Sequence, residues 1–414
     1  MKGEKTRVMI ETQSNSLFRG IEMEQDFDQR GGLCQVGDGH VVVTTKPIDS
    51  DYLAYWQDLG FTLPRMIVAG PFDRDLTLAD LVISKQEVQD EILGSINGRS
   101  ARLEFFWIEE SERYLSSILG IPPYCNFEVS IPFACKYNFK LLCEELGLKT
   151  APWVGGKDPE ELLKVTKSFL TGKNGNGFLL KSSRGTGGVD LGGLHQISSY
   201  EDLVAKMPTV EGMCSPFIVE QMVKIVDEVC VHWEITEDGK FLDIGIFDQL
   251  STNLSYSGTA FPTRLTREIE SRIRTDLETK LVPYLQRSGA KGYFCCDILI
   301  DETGNVYWTD FNPRKGAIVF IYEMSKRLAK IRNPGSFGYH FWHEHISTGK
   351  SLGFKELFGE LKEILVPSTQ EPFAVITNPG VLYHGGIDVT GLSINSREEA
   401  KAVVKEVRKR LDFV

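Results

Sequence analysis

Apolar and polar positions follow two regimes along this chain. Over residues 1–125, short apolar runs alternate with turn signals. Arg65–Gly70 (RMIVAG) has the form of a buried strand ending on a glycine, and Leu76–Ile92 has helical spacing; both fit an open α/β domain. From about Pro132 the periodicity sharpens. Lys136–Leu148 is apolar at helical spacing, with Gly147 as its stop and Pro152 beyond it, where a helix cannot continue. Gly177–Lys181 (GFLLK) is a short strand that opens into Ser182–Gly188 (SSRGTGG), and Pro216–Glu220 (PFIVE) is a second strand carrying its acid at the end. Asp297–Ile300 and Asn305–Trp308 flank Asp301–Gly304 (DETG), a hairpin turn signal. The last forty or so residues hold Tyr383–Gly386 (YHGG) and a charged helix, Arg397–Leu411, which together suggest a small α+β appendage. There is no internal repeat and no low-complexity tract.

Length changes this picture into one of several domains, since 414 residues exceed a typical single domain of roughly 150. The hydrophobic share of 42% and charged share of 25% are those of an ordinary globular protein. A net charge of −11 argues against a broad nucleic-acid or anionic-membrane face, so any polyanion has to be met by local Lys, Arg or metal. No apolar run approaches the ~20 residues of a membrane span. Met1–Ser16 lacks the apolar core of a signal peptide. The eight cysteines contain no CxxC pair and one vicinal pair, Cys295-Cys296, which fits small buried strand filler in a reducing cytoplasm. The expectation is a cytoplasmic protein that binds neither nucleic acid nor membrane.

The strongest chemical feature is the hairpin. Its two strands bring Asp297 and Asp310 side by side, and Asp310 and Asn312, two apart on an extended chain, share a face. Three oxygen donors converging in this way suit Mg²⁺, which leaves coordination positions for phosphates and water. Arg314 and Lys315 follow at once, so an acidic metal trap lies beside basic groups, as a polyphosphate site requires. The plain alternative is a hairpin with a solvated aspartate at each end. The glycines of Ser182–Gly188 let backbone N–H groups approach phosphate oxygens, and Lys181 adds a point charge; a flexible turn is the simpler reading of that loop alone. It is not a Walker A loop. Gly349-Lys350-Ser351 ends like one, but Glu344 stands where the first glycine is required. Glu220–Val223 extends a strand into a linker whose main chain could face an adenine edge. Ile218, Met222 and Trp308 are candidate walls there, and Asp227 or Glu228 a candidate ribose partner.

In their order along residues 132–345, these features resemble the ATP-grasp superfamily of carboxylate–amine ligases. The resemblance implies an N-terminal open α/β (pre-ATP-grasp) domain over 1–130 and an ATP-grasp fold of two α+β subdomains clamping ATP over 131–350, with the lid at about 150–222. A small C-terminal α+β domain over 351–414 completes the expectation. It further implies that Lys136 reaches the α-phosphate and that Lys181, with Ser183, Gly185, Gly187 and Gly188 of the lid loop, holds the other phosphates. Glu220, Gln221 and Val223 would form the adenine hinge and Glu228 would take the ribose. Asp297, Asp310 and Asn312 would bind two Mg²⁺ ions, with Mn²⁺ as a substitute. Asn312–Arg314 (NPR) resembles the Asn-x-Arg element whose arginine contacts transferred phosphate or bound carboxylate.

Two departures stand out. Many members carry Glu where this chain has Asp310. Some amino-acid ligases place arginine two residues before the first metal acid, where Cys295 stands here. Arg314, Lys315 and Arg264 are the candidates to take over that catalytic role. The implied reaction is ADP-forming: a carboxylate becomes an acyl phosphate and an amine displaces the phosphate, with amino-acid or peptide substrates. The long N-terminal region, Asp310–Arg314 (DFNPR) and the glycine-rich C-terminal piece are most similar to peptide ligases of the pheganomycin type. The alternatives are a carboxylating or carbamoyl-phosphate-type enzyme and an ATP-binding scaffold without turnover. A homodimer is expected because relatives commonly form one. The cluster of His340, His343 and His345 is read as packing around Phe341 and Trp342 rather than as a metal site, and the C-terminal helix as a solvated face.

Overall fold

A computed structural model describes residues 5–13, 15, 21–170, 177–184, 194–210, 215–332, 338–366 and 372–411. The chain divides into two compact units, one of residues 1–127, 258–262 and 314–414 and a second of residues 128–257 and 263–313. Among the described residues, no helix is long and apolar enough to cross a membrane.

The first unit opens with a parallel sheet of β1 (Thr6–Ile10), β2 (Val41–Thr44), β3 (Arg65–Val68) and β4 (Ala101–Phe105), in the order β3-β2-β1-β4. Strands β1 and β2 are buried along their whole length, as expected where both faces of a parallel sheet are covered. Arg65–Gly70, expected to be a buried strand, forms an edge strand over Arg65–Val68, and only Ile67 and Ala69 of the segment are buried. The helix expected over Leu76–Ile92 is two helices, Leu78–Ser84 and Gln86–Ile96. Thr77 and Asp80 form a capping box at the first, and Lys85 between them is extended, donating its ammonium to the Ala69 carbonyl at 2.7 Å.

In the second unit, β5 (Trp153–Gly156), β6 (Phe178–Ser182), β7 (Leu194–Ile197) and β8 (Phe217–Gln221) form an antiparallel sheet in the order β5-β8-β6-β7. Phe178, Leu180 and Val219 pack on the helices 159–169 and 200–210 through Leu162 and Leu203. Alternation therefore turns Lys181, Ile218 and Glu220 to the other face. A second antiparallel sheet takes β9 (Ile225–Ile235), β10 (Phe241–Thr252), β12 (Gly292–Asp301) and β13 (Val306–Asn312) in the order β13-β12-β9-β10. Val229, Val231, Trp233, Ile298 and Trp308 bury one face of it against Phe139 and Leu142 of the helix Lys136–Leu146 and against Ile273 and Leu277. Gly147 ends that helix in the left-handed region at φ +62°, which glycine adopts without a Cβ penalty.

The chain returns to the first unit within β11 (Ser255–Phe261), whose last residues pair with β14 (His340–Ser347). Strands β15 (Phe373–Asn378) and β16 (Gly386–Ser393) extend this antiparallel arrangement in the order β11-β14-β16-β15. The histidine cluster is thus on a strand, not a helix. His343 meets Thr390 at 2.9 Å and His345 meets Asp388 at 2.8 Å, each directly across β16. The helix Arg397–Leu411 is solvated on one side only, since Ala400, Val404 and Val407 are buried. Gly391 permits its close approach, because a Cβ there would sit 2.0 Å from the Ala400 carbonyl oxygen.

Candidate functional site

Lys136 and Lys140 are one helical turn apart and so share a face of their helix. Lys136 Nζ is ion-paired with Asp310, and its backbone N–H donates to the Ser183 carbonyl at 2.8 Å, which brings the start of the glycine-rich loop to the helix N-terminus. Lys140 Nζ lies 2.6 Å from Glu220 Oε1, and Lys181 Nζ lies 2.7 Å from Glu220 Oε2. Glu220 is therefore a fully buried carboxylate between two ammonium groups. Burial alone would raise its pKa, but Lys181 and Lys140 outweigh burial and hold it below the ordinary value. Burial likewise works against the Lys181 ammonium, yet Glu220 and then Asp310 raise it above the ordinary lysine value.

The groups expected at the hinge have local partners. The Glu220 side chain is committed to the lysines, and the N–H groups of Gln221 and Met222 already donate to the carbonyls of Pro152 (2.8 Å) and Gly177 (3.0 Å). Trp308 is no wall of a nucleotide site, because it is buried in the core on the opposite face of its sheet. Ile218 is buried on the lysine-bearing face, and Val223 is half-buried in the linker after β8. The Ser183 hydroxyl is buried without a hydrogen-bond partner among the described residues. Gly185, Gly187 and Gly188 lie outside the described residues.

The hairpin strands are longer than the local pattern suggested, so Asp297 sits within β12 rather than at its start. Asp297 pairs directly with Asp310, and Cys295 with Asn312. A β-bulge between these pairs and the Ile298–Trp308 pair shifts the alternation by one residue. Trp308 and Asp310 would otherwise share a face; the bulge lets Trp308 enter the core while Asp310 and Asn312 turn away from it. Alternation then assembles one polar face from Asp310 and Asn312, Cys295 and Asp297, Glu228, Cys230 and His232, and Gln249 and Ser251. Gln249 Nε2 donates to Asp297 Oδ1 at 3.3 Å, and Ser251 donates to Glu228 at 2.7 Å. The vicinal cysteines part company here: Cys296 packs in the core, whereas Cys295 faces the carboxylates.

Two carboxylates placed directly opposite each other repel. Burial, and then the Asp310 charge, push the Asp297 carboxyl up to about 6. Burial acts on Asp310 too, but Lys136 and Lys181 outweigh it and hold that carboxyl well below the usual range. Burial raises Glu228. Asp310 Oδ1 is buried with no hydrogen-bond partner among the described residues. An orphaned carboxylate oxygen, a repelling partner and an adjacent amide oxygen are a donor set that fits a hard divalent cation. If Asp297 is a ligand, proton and Mg²⁺ compete for it. The apparent Mg²⁺ affinity of the nucleotide-free protein is then expected to level off above about pH 7 and to fall by about tenfold per unit below about pH 6. Calorimetric titrations between about pH 5 and pH 8 measure this, and a pH-independent affinity removes Asp297 from the ligand set.

Of the three proposed replacements for the missing arginine, Arg264 lies in the second unit and Arg314 and Lys315 in the first. Arg264 donates to Asp248 (Nε to Oδ2, 3.1 Å) and lies 3.8 Å from Asp227. The register puts both acids on the face opposite Asp297, with Val229 and Ile300 as their cross-strand neighbours, so Arg264 is anchored away from the site. Lys315 is buried in the first unit, ion-paired with Glu11 at 2.5 Å and with Glu104, which also binds Arg7 at 2.7 Å. It is a core ion-pair residue of the first unit. Lys315→Met is expected to destabilise the fold by roughly 3–5 kcal/mol, because it leaves two carboxylates buried beside each other. Denaturant unfolding checks this; an unchanged midpoint overturns the assignment. Arg314, also in the first unit, lies over the rings of Phe106 (4.4 Å) and Trp107 (4.9 Å) and donates to the Lys315 carbonyl at 2.8 Å.

No known family profile matches the sequence, and no curated protein matches it. Solved structures do. The chain is similar to an N5-carboxyaminoimidazole ribonucleotide synthetase in complex with ADP, with a TM-score of 0.62 and 12% identity over 99% of this chain and 97% of that one. It has the ATP-grasp fold. A likeness of TM-score 0.61 and 12% identity, over 99% of both chains, links it to the N5-carboxyaminoimidazole synthase of Aspergillus clavatus. The biotin carboxylase of Campylobacter jejuni is similar at TM-score 0.62 and 13% identity, over 98% of this chain and 91% of that one. Within this fold, the sequence had not singled out Lys140, Gln249 or Ser251. Lys140 was legible as the second lysine of an i,i+4 pair; Gln249 and Ser251 needed the register of β10.

Proposed function

We propose that the protein is an ATP- and Mg²⁺-dependent, ADP-forming ligase that activates a carboxylate as an acyl phosphate and couples it to an amine. The observation that carries this reading is the juxtaposition of Lys136 and Lys181 with the Asp297–Asp310 pair and Asn312 on one side of the second unit. Phosphoryl transfer asks for charge neutralisation and alignment more than for a protein nucleophile, and this donor set offers both. Asp297, Asp310 and Asn312 would hold Mg²⁺, which when bound neutralises charge on the β- and γ-phosphates. Lys136 and Lys181 would neutralise phosphate oxygens, with Glu220 and Lys140 keeping Lys181 in place. In the reaction, a carboxylate oxygen bonds to the γ-phosphorus as its bond to the ADP oxygen breaks. The amine nitrogen then attacks the acyl carbon, loses a proton, and phosphate leaves. Arg314 is the candidate for contact with the transferred phosphate on the Asn312–Arg314 wording alone.

An amino-acid or peptide carboxylate is the finer reading. It is supported by the Asp310–Arg314 wording and the glycine-rich Tyr383–Gly386 segment, which resemble pheganomycin-type peptide ligases. A carboxylating reading, with bicarbonate as the activated acid, is supported by likeness to carboxyaminoimidazole ribonucleotide synthetases and a biotin carboxylase along nearly the whole chain. The two share the first step and differ in the acid. Incubating the protein with Mg-ATP and either amino-acid and dipeptide mixtures or bicarbonate with amines, followed by mass spectrometry, separates them. ADP and phosphate formed only with substrate, alongside a new amide or a carboxylated amine, are the expected products, and a chelator abolishes both. AMP and pyrophosphate would sink the acyl-phosphate route. Tight ATP binding with no turnover in any mixture would favour a scaffold.

A further inference from the structure

Strands β9 and β12 place a second donor set beside the carboxylates. Cys230 and His232 are two apart on β9 and share a face; across the ladder, Cys295 stands opposite His232 and Asp297 opposite Cys230. The ligand atoms of Cys230, His232 and Cys295 all lie within 4.8 Å of one another, and the three residues are 2%, 0% and 3% exposed. We propose that these three side chains form a binding site for a soft divalent cation of the Zn²⁺ class.

The geometry is close to what such an ion needs. Bonds of about 2.3 Å to sulfur and about 2.0–2.1 Å to nitrogen put tetrahedral ligand atoms roughly 3.4–3.8 Å apart, so closure requires the ligand atoms to approach one another by about 1–1.4 Å at most. Donor chemistry separates this site from its neighbour. Two thiolates and an imidazole select Zn²⁺ over Mg²⁺, whereas Asp297, Asp310 and Asn312 offer the hard oxygens that Mg²⁺ prefers. Two strands of a packed sheet carry all three ligands, so the fold holds them in place before any ion arrives. Asp297 completes the quartet on this face. Being partly exposed, it marks the side from which an ion enters, and it or a water would take the fourth position. The site stands independently of the ligase reading, because its formation needs only the β9–β12 register.

The test uses the full-length protein, stripped with a chelator under reducing conditions and titrated with Co²⁺ as the probe. One equivalent is expected to give a sulfur-to-cobalt charge-transfer band with the visible bands of a tetrahedral site, and one equivalent of Zn²⁺ should erase them. C230S and C295S should each lose much of the charge-transfer intensity and weaken Zn²⁺ binding by more than the roughly 10–100-fold typical of losing an outer-shell partner. D297N should keep the charge-transfer band, because both thiolates remain whether Asp297 or a water fills the fourth position. A stripped, reduced wild-type protein that shows no thiolate–cobalt band overturns the site, whatever the variants do. So does a band that keeps its full intensity in folded C295S, or a Cys230–Cys295 disulfide that persists under reducing conditions.

Discussion

Asp310→Asn is expected to lower turnover by about 10²–10³-fold, the order lost when one preorganised electrostatic group is removed from a site of developing charge. The variant keeps the shape of the residue and removes the charge that faces Asp297, Lys136 and any bound cation. Folding is expected to change little, because Lys136 and Asp310 are both partly exposed, at 20% and 23%, and such pairs contribute at most about 1 kcal/mol. Relief of the repulsion with Asp297 acts in the opposite direction. A second readout accompanies the first: without Asp310, the Asp297 carboxyl should titrate below about 6, since part of its upward shift comes from that neighbour. Steady-state kinetics with carboxyl NMR titration of Asp297 measures both. Normal turnover in a folded Asp310→Asn variant removes the pair from the site.

Glu220→Ala should be strongly destabilising to the second unit. It leaves Lys140 and Lys181 buried without their shared carboxylate, a loss of roughly 3–5 kcal/mol. The melting temperature should fall on the order of 10 °C. Lys140→Met is the informative partner, because it leaves the Lys181–Glu220 pair intact and should cost less. The pH dependence carries a definite sign. Glu220 is held below its ordinary value, so its contribution is fully present above about 4.5 and disappears as pH falls through the lower, folded-state value. The Lys181 contribution is fully present below about 10.5 and is lost as pH rises past its raised value. Unfolding of wild type and variants across acidic pH tests this, and an acid limb unchanged by Glu220→Ala contradicts it. ATP affinity should fall in the same variant, since Lys181 loses its anchor.

Much of the second unit was legible because its signals are local. Helical spacing with a glycine stop marked Lys136–Leu146, and the turn Asp301–Gly304 marked a hairpin that sets Asp297 against Asp310. Lys181 and Glu220 were each visible at a strand end, but not their pairing, which depends on β6 lying beside β8. Arg264 and Lys315 show the opposite failure. Both are basic and close in sequence to the right motifs, yet register directs one to Asp248 and burial commits the other to Glu11 and Glu104. Neither outcome has a signature within a few residues of the chain.

The sequence by itself determined the helix that carries Lys136, the strands that end near Lys181 and Glu220, and the hairpin that carries Asp297, Asp310 and Asn312. That follows because turn chemistry and short periodicities act over a few residues. Tertiary structure alone decided which face each side chain occupies. The bulge that parts Trp308 from Asp310, the split of Cys295 from Cys296, and the meeting of Cys295 with Cys230 and His232 all come from strand register. The physical reason is the two-residue period of a strand, in which a shift of one position exchanges core for site. The chain records that shift in the partner strand, some sixty residues or more away for β9 and β12, rather than beside the residues it moves.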